Sequence, residues 1–218
     1  LGDEMARRPG NAGRVQRASE KRSPTLKERA SPIGRLGLDP LAVERLEEVL
    51  NGRSGLVVLA GAAGAGKTAT GYALAEMVSR NAATAASSGT DVARVVVSVE
   101  APLEKVVPGL VQVNCEWNDL EKQLRAAAER ADLGALHGKI EWYEMGLVML
   151  RVAEAGRLAL GAVPVETSAQ AIERLLSMGL DAERLAKSLR VVHTQRLLPR
   201  LCVACREPSV LDDVERRQ

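Results

Sequence analysis

The segment that most limits what this chain can fold into is Gly61-Ala62-Ala63-Gly64-Ala65-Gly66-Lys67-Thr68, which fits the pattern G-x-x-x-x-G-K-[ST]. Glycines in such a loop let the backbone wrap closely round a phosphate and aim successive N–H groups at its oxygens. The flanks are those the pattern needs. Before it runs Leu56-Val57-Val58-Leu59-Ala60, a short continuous apolar run of the kind found in a strand buried on both faces. After it, a helix is expected over about residues 67–80, with Leu74 and Met77 turned inward. The start of that helix adds the positive end of its dipole. Gly61, Gly64, Ala65, Gly66, Lys67, Thr68 and Ala69 are therefore expected to cradle the phosphates of a nucleoside triphosphate, namely ATP. Lys67 is expected to reach the β- and γ-phosphates, and the Thr68 hydroxyl to ligate Mg²⁺.

The remaining pattern predicts strands alternating with helices. Asp39-Pro40 makes a helix start, and Leu41, Val43, Leu46, Val49 and Leu50 recur at helical spacing before Asn51-Gly52. Residues 81–91 are expected to form a loose loop. Strands are expected at residues 95–99, 111–113, 133–137 and 158–163. Helices are expected at 118–131, 144–154 and 169–178, the last opened by a capping box of Thr167 and Gln170, and a final helix at 181–190. Such alternation implies an α/β fold with a mainly parallel sheet flanked by helices.

Composition narrows the setting. Residues 1–31 carry eight Lys or Arg among Gly, Pro, Ser and Asn, so they are read as a flexible basic segment preceding a folded core at 32–200. A solvated linker is the simpler reading of that segment; a basic arm on acidic lipid or nucleic acid is the other. The chain has no Phe and only Trp117, Trp142, Tyr72 and Tyr143 as aromatics. Stacking on single-stranded nucleic acid needs such platforms, and the net charge of +2 calls for no polyanion, so no direct nucleic-acid partner is expected. No apolar run approaches a membrane span, and no signal-peptide pattern is present. Cys115, Cys202 and Cys205 cannot build a disulfide framework, which fits a reducing cytoplasm. The chain begins at Leu1, so it is expected to be part of something longer.

Landmarks follow one another in a set order over residues 32–206. Leu36-Gly37-Leu38 and the next helix lead to Gly64-Ala65-Gly66-Lys67-Thr68-Ala69-Thr70 and Tyr72-Ala73-Leu74. Val99-Glu100-Ala101-Pro102-Leu103-Glu104 follows, then Pro108-Gly109 and Val111-Gln112-Val113-Asn114. Late in the chain come residues 171–179, Gln195-Arg196-Leu197, and Leu201-Cys202 with Cys205. This order resembles the type II secretion protein E and type IV pilus motor ATPases, with residues 99–104 looking like the family's acidic box and the late segments matching its closing ones. The resemblance implies a RecA-like P-loop NTPase domain that works as a cytoplasmic homo-hexamer, or a hetero-oligomer with related ATPases, on an inner-membrane platform. There, ATP-driven movement between subunits powers pilin or pseudopilin assembly. It also makes Glu104, with Glu100 behind it, the carboxylate expected to activate water.

The chain departs from that family at the hydrolytic positions. The Walker B glutamate position holds Lys139, the acidic box has Ala101 for its aspartate, and Pro164 stands where a histidine is usual. Asp132, Glu141 and Glu144 are the nearby carboxylates that could fill a missing role. A non-hydrolysing, nucleotide-binding regulatory or scaffolding subunit is therefore the alternative reading. The C-terminal tail 201–218 carries Cys202-x-x-Cys205 without the four ligands a closed zinc site needs, so zinc is not expected.

Overall fold

The computed structural model of the protein describes residues 32–87, 94–199, 201–202 and 204–207; the basic segment 1–31 and residues 88–93 lie outside these. Asp39 and Pro40 open helix α1 (Pro40–Asn51), the Asp39 carboxylate accepting the Leu41 amide at 3.0 Å. Strand β1 (Gly55–Ala60), buried along its whole length, delivers the glycine-rich loop to helix α2 (Lys67–Ser87). Then come β2 (Val95–Glu100), β3 (Val111–Asn114) and, after a 3-10 turn at Trp117–Asp119, helix α3 (Leu120–Ala128). Strand β4 (Leu133–Lys139), helix α4 (Tyr143–Glu154) and strand β5 (Leu158–Val163) follow. Helix α5 (Ser168–Ser177) carries the expected capping box of Thr167 and Gln170; helix α6 (Ala182–Ser188) and strand β6 (Leu189–Thr194) complete the series.

All strand pairs are parallel, and the sheet runs β3-β2-β4-β5-β1-β6. Parallel neighbours need crossover connections, so helices cover both faces, and the central strands are buried and mainly apolar except where Ser98, Glu100 and His137 face α2. One core joins Val57, Leu59, Ala135 and Leu160 to α1 and α2. The other joins Leu56, Val58, Leu136 and Ala159 to α3, α4 and α5. This is the α/β, RecA-like arrangement expected, with the phosphate loop at the carboxyl ends of the strands.

Three boundaries differ from expectation. Residues 81–87 continue α2 rather than loosening, because four alanines between 82 and 86 favour helix. The Thr84 and Ser87 hydroxyls there turn back to the carbonyls of Arg80 and Ala83 instead of breaking the helix. Helix α3 is shorter than residues 118–131, its first turn being 3-10. The last helix stops at Ser188, and residues 189–194 form β6, a strand that helical spacing did not reveal. Val191 and Val192 are β-branched, and β6 supplies the partner that the outer edge of β1 would otherwise lack. In the described residues of the C-terminal segment, the Arg206 amide donates to the Cys202 carbonyl, and both Cys202 and Cys205 are exposed.

Helix α2 packs across β1, β5, β4 and β2, and Gly71 sets how closely it approaches. A Cβ at Gly71 would lie 2.3 Å from Nε2 of the buried His137 ring, whose Nδ1 is held 2.7 Å from Ser98 Oγ. Ala in place of Gly normally gains up to about 1 kcal/mol in a helix. Here overpacking against a fixed ring opposes it by about 1–3 kcal/mol. Gly71→Ala is therefore expected to lower the urea midpoint of unfolding, whereas a neutral or raised midpoint would show that the helix and strand can separate without cost.

Candidate functional site

The loop between Ala60 and Lys67 turns through Gly64 at φ +76 and Gly66 at φ +85, left-handed conformations that a side chain disfavours. Ala65 is buried beneath the loop, and Ala69 is exposed in the first turn of α2. At Gly61 the constraint is space: a Cβ would sit 2.7 Å from the Gln195 carbonyl oxygen and 2.8 Å from the Ala65 Cβ. Gln195, just past β6, grips the loop from behind. Its amide N–H donates to the Ala60 carbonyl at 3.0 Å, and its side-chain Nε2 donates to the Ala65 carbonyl at 2.7 Å. Lys67 Nζ donates to the carbonyls of Gly61 and Ala62 at 2.6 and 2.8 Å, so its ammonium lies across the cradle. Burial lowers the Lys67 pKa, Glu141 opposes that shift, and Lys139 adds to it.

Alternation along the strands builds the facing wall. Side chains of a strand point to opposite faces in turn. Val97 and Val99 therefore enter one core, while Ser98 and Glu100 turn toward α2; in β4, His137 and Lys139 share the face of Ala135. Glu100 is buried and accepts hydrogen bonds from the Tyr72 hydroxyl, from Ser98 Oγ at 2.5 Å and from Gln112 Nε2 at 3.4 Å. Ser98 has one hydroxyl proton; with that proton on Glu100, it accepts from Nδ1–H of a neutral His137. Tyr72 also accepts the amides of Glu104 and Lys105, each at 3.3 Å, tying the acidic loop to the P-loop helix. Burial, then the Glu100 hydrogen bond and charge, push the Tyr72 pKa up to about 12.

A cleft of about 270 Å³ brings together Lys67, Thr68, Glu104, Lys139, Glu141 and Pro164. Glu104 is exposed, with Oε1 3.3 Å from the Thr68 hydroxyl, whereas Glu100 lies behind it with its oxygens taken. Mg²⁺ commonly takes one or two carboxylates together with phosphate oxygens and water. Thr68 and Glu104 fit that demand; among the described residues no three His, Cys, Asp or Glu side chains gather to hold a metal by themselves. Asp132 sits at the opposite end of β4, bound to Arg130 at 2.8 Å, and Glu144 is half-buried in α4 and does not line the cleft, so of these three only Glu141 lines it, and its charge acts on Lys67. Tyr72 and Gln195 hold this site together by contacts between distant segments, which residue type alone did not reveal. Arg125 and Arg130 are engaged by Glu121 and Asp132, and Arg157 binds the carbonyls of Ala128 and Arg130.

Removing the Tyr72 hydroxyl leaves a buried carboxylate oxygen short of a donor, so Tyr72→Phe is expected to cost about 1–3 kcal/mol in chemical denaturation. An unchanged stability would show that water replaces the hydroxyl at Glu100. The second expectation concerns pH. Burial lowers the His137 pKa from 6.5 to about 4, with the Glu100 charge opposing the shift. Between those values the unfolded chain binds a proton that the folded chain refuses, so stability falls as pH drops through that window and is fully present above it. The depression corresponds to about 3 kcal/mol. His137→Gln is expected to flatten the loss of stability between pH 6.5 and about 4; an equal slope in both proteins would place it on other groups.

Comparison with known proteins places these features in one family. The family model for type II/IV secretion system proteins matches residues 19–218. The chain is 28% identical over 190 residues to the type II secretion system protein E of Pseudomonas aeruginosa, covering 84% of this chain and 36% of that protein. It is 25% identical over 185 residues to the type IV pilus assembly ATPase PilB of the same organism, covering 81% and 31%. This chain thus spans about a third of the curated relatives it matches. The fold superimposes on the ATPase DotB of Legionella pneumophila with a TM-score of 0.57 and 17% identity, covering 77% of this chain and 46% of that one. With that fold, a P-loop at the carboxyl edge of a parallel sheet and a family match over most of its length, the chain belongs to the type II/IV secretion system protein family.

Proposed function

We propose that this chain is the nucleotide-binding core of a motor subunit in a type II secretion or type IV pilus-type assembly machine. The observation that carries the reading is the convergence of Lys67 and Thr68 with Glu104 in one cleft at the carboxyl end of β1. Backbone amides of residues 61–67 would hold the phosphates of ATP. Lys67 would exchange its bonds to the Gly61 and Ala62 carbonyls for phosphate oxygens. Mg²⁺, when bound beside Thr68 and Glu104, would neutralise charge on the phosphates. Glu104, exposed and anchored through its amide to Tyr72, would orient water. Among the described residues no helix is long and apolar enough to cross a membrane. By likeness to its relatives, the subunit would act peripherally, in the cytoplasm, in a homo-hexamer or with related ATPases on an inner-membrane platform, and its movement would drive pilin or pseudopilin assembly.

One observation favours a second reading. Lys139 lines the cleft at the tip of β4, where a carboxylate is usual in the family that the sequence resembles, and a cation there cannot serve as a base. On that reading the chain binds ATP and turns it over slowly or not at all, acting as a regulatory or scaffolding subunit.

Purified protein is expected to gain thermal stability from Mg²⁺–ATP, and Lys67→Ala to lose that gain. No stabilisation of the wild type would remove the nucleotide reading. Phosphate release assayed beside it separates the two forms: turnover that Glu104→Gln lowers by about 10²–10⁴ supports the motor. Binding without turnover supports the regulatory subunit.

A further inference from the structure

A bound triphosphate carries more negative charge than one lysine can match, and a divalent cation ordinarily supplies the balance. This cleft already holds a second protein cation. Lys139 ends β4 on the face that looks toward α2, and it lines the same cleft as Lys67 and Thr68. Its charge is felt across the cleft: after burial and the opposing Glu141, Lys139 adds to the lowering of the Lys67 pKa. Lys139 is also held in place. Its Nζ lies 5.7 Å from the ring centroid of Trp117, which meets Trp142 edge-on at a centroid distance of 5.7 Å. An indole face attracts a cation through its quadrupole without neutralising it. No carboxylate among the described residues forms an ion pair with Lys139. The carboxylates that share the cleft are Glu104, bonded to Thr68, Glu141, which acts on Lys67, and the buried Glu100, already served by three donors.

We infer that Lys139 supplies the second positive charge from the protein itself, so that the cleft takes up metal-free ATP. This rests on the nucleotide reading above and adds to it. Thr68 and Glu104 still fit Mg²⁺, but the ion then adds little to affinity, because a fixed ammonium already serves the same phosphate oxygens. The ligand class is the free nucleoside triphosphate tetra-anion rather than only its magnesium complex.

The chain contains its own reporter, since Trp117 sits beside Lys139 and meets Trp142, the only other tryptophan of the sequence. Full chain is titrated with ATP in magnesium chloride and in EDTA, following tryptophan fluorescence and heat of binding. EDTA is expected to change the wild-type Kd by less than about threefold, whereas Lys139→Met weakens binding in EDTA by about tenfold or more, the worth of one charge-assisted contact. Lys139→Arg is expected to retain metal-free binding, and Lys139→Glu to make binding depend on Mg²⁺. Melting each variant without nucleotide separates loss of the Trp117 contact from loss of binding. Wild-type binding that vanishes in EDTA, or Lys139→Met binding as tightly as wild type there, overturns the inference while leaving the nucleotide reading intact. Absence of binding in both media overturns both.

Discussion

A buried carboxylate is tolerated in a protein interior only when donors surround it, and Glu100 is the one on which this cleft is built. Tyr72 from α2, Ser98 from β2 and Gln112 from β3 each donate to it, and His137 from β4 joins through Ser98. Side chains from one helix and three adjacent strands are thereby joined at the carboxyl edge of the sheet. Because Tyr72 also receives the amides of Glu104 and Lys105, the same centre sets where the exposed acidic loop lies relative to the phosphate loop. The short reach of Gly71 completes the arrangement, since it lets α2 come near enough for Tyr72 to reach Glu100.

Much of this was legible in the residues. The glycine spacing, the apolar run before it and the Asp39-Pro40 and Thr167–Gln170 caps are local features, and each forms the element its chemistry implies. The α/β class followed from alternation. What escaped were features decided by contacts between distant segments. Strand β6 owes its existence to pairing with β1, and Gln195 reaches the loop across 130 positions of sequence. Ser98, Glu100, His137 and Lys139 share a face by simple strand alternation, but assigning that face to the phosphate loop required knowing that β2 and β4 are neighbours. The end of α2 was missed for a different reason: alanines and small hydroxyl residues look like a loop by composition and yet continue a helix by propensity.

The charges of the cleft are unusual for what they combine. Two lysines and two exposed or half-exposed carboxylates converge on one small volume, where burial already disfavours the charge on Lys67. An anionic ligand would relieve repulsion between the lysines, and a cation would relieve repulsion between the carboxylates. Such a site therefore gains from ligands of either sign, and its preference is set by geometry: Lys67 lies across the glycine-rich loop, while Glu104 stands by Thr68. The family match covers this chain almost throughout. Lys139 and Pro164, two of the positions that depart from the pattern the sequence resembles, line the cleft, and the parallel sheet that presents it is complete around them.

Gln195 gives the loop a mechanical property. Its main chain continues the sheet beyond β6, its carbonyl fills the space that a side chain at Gly61 would need, and its amide grips Ala65. Floor and rear wall of the cradle are thus made by one residue at the root of the following chain. A change at Gln195 would therefore loosen the loop at two carbonyls at once, those of Ala60 and Ala65.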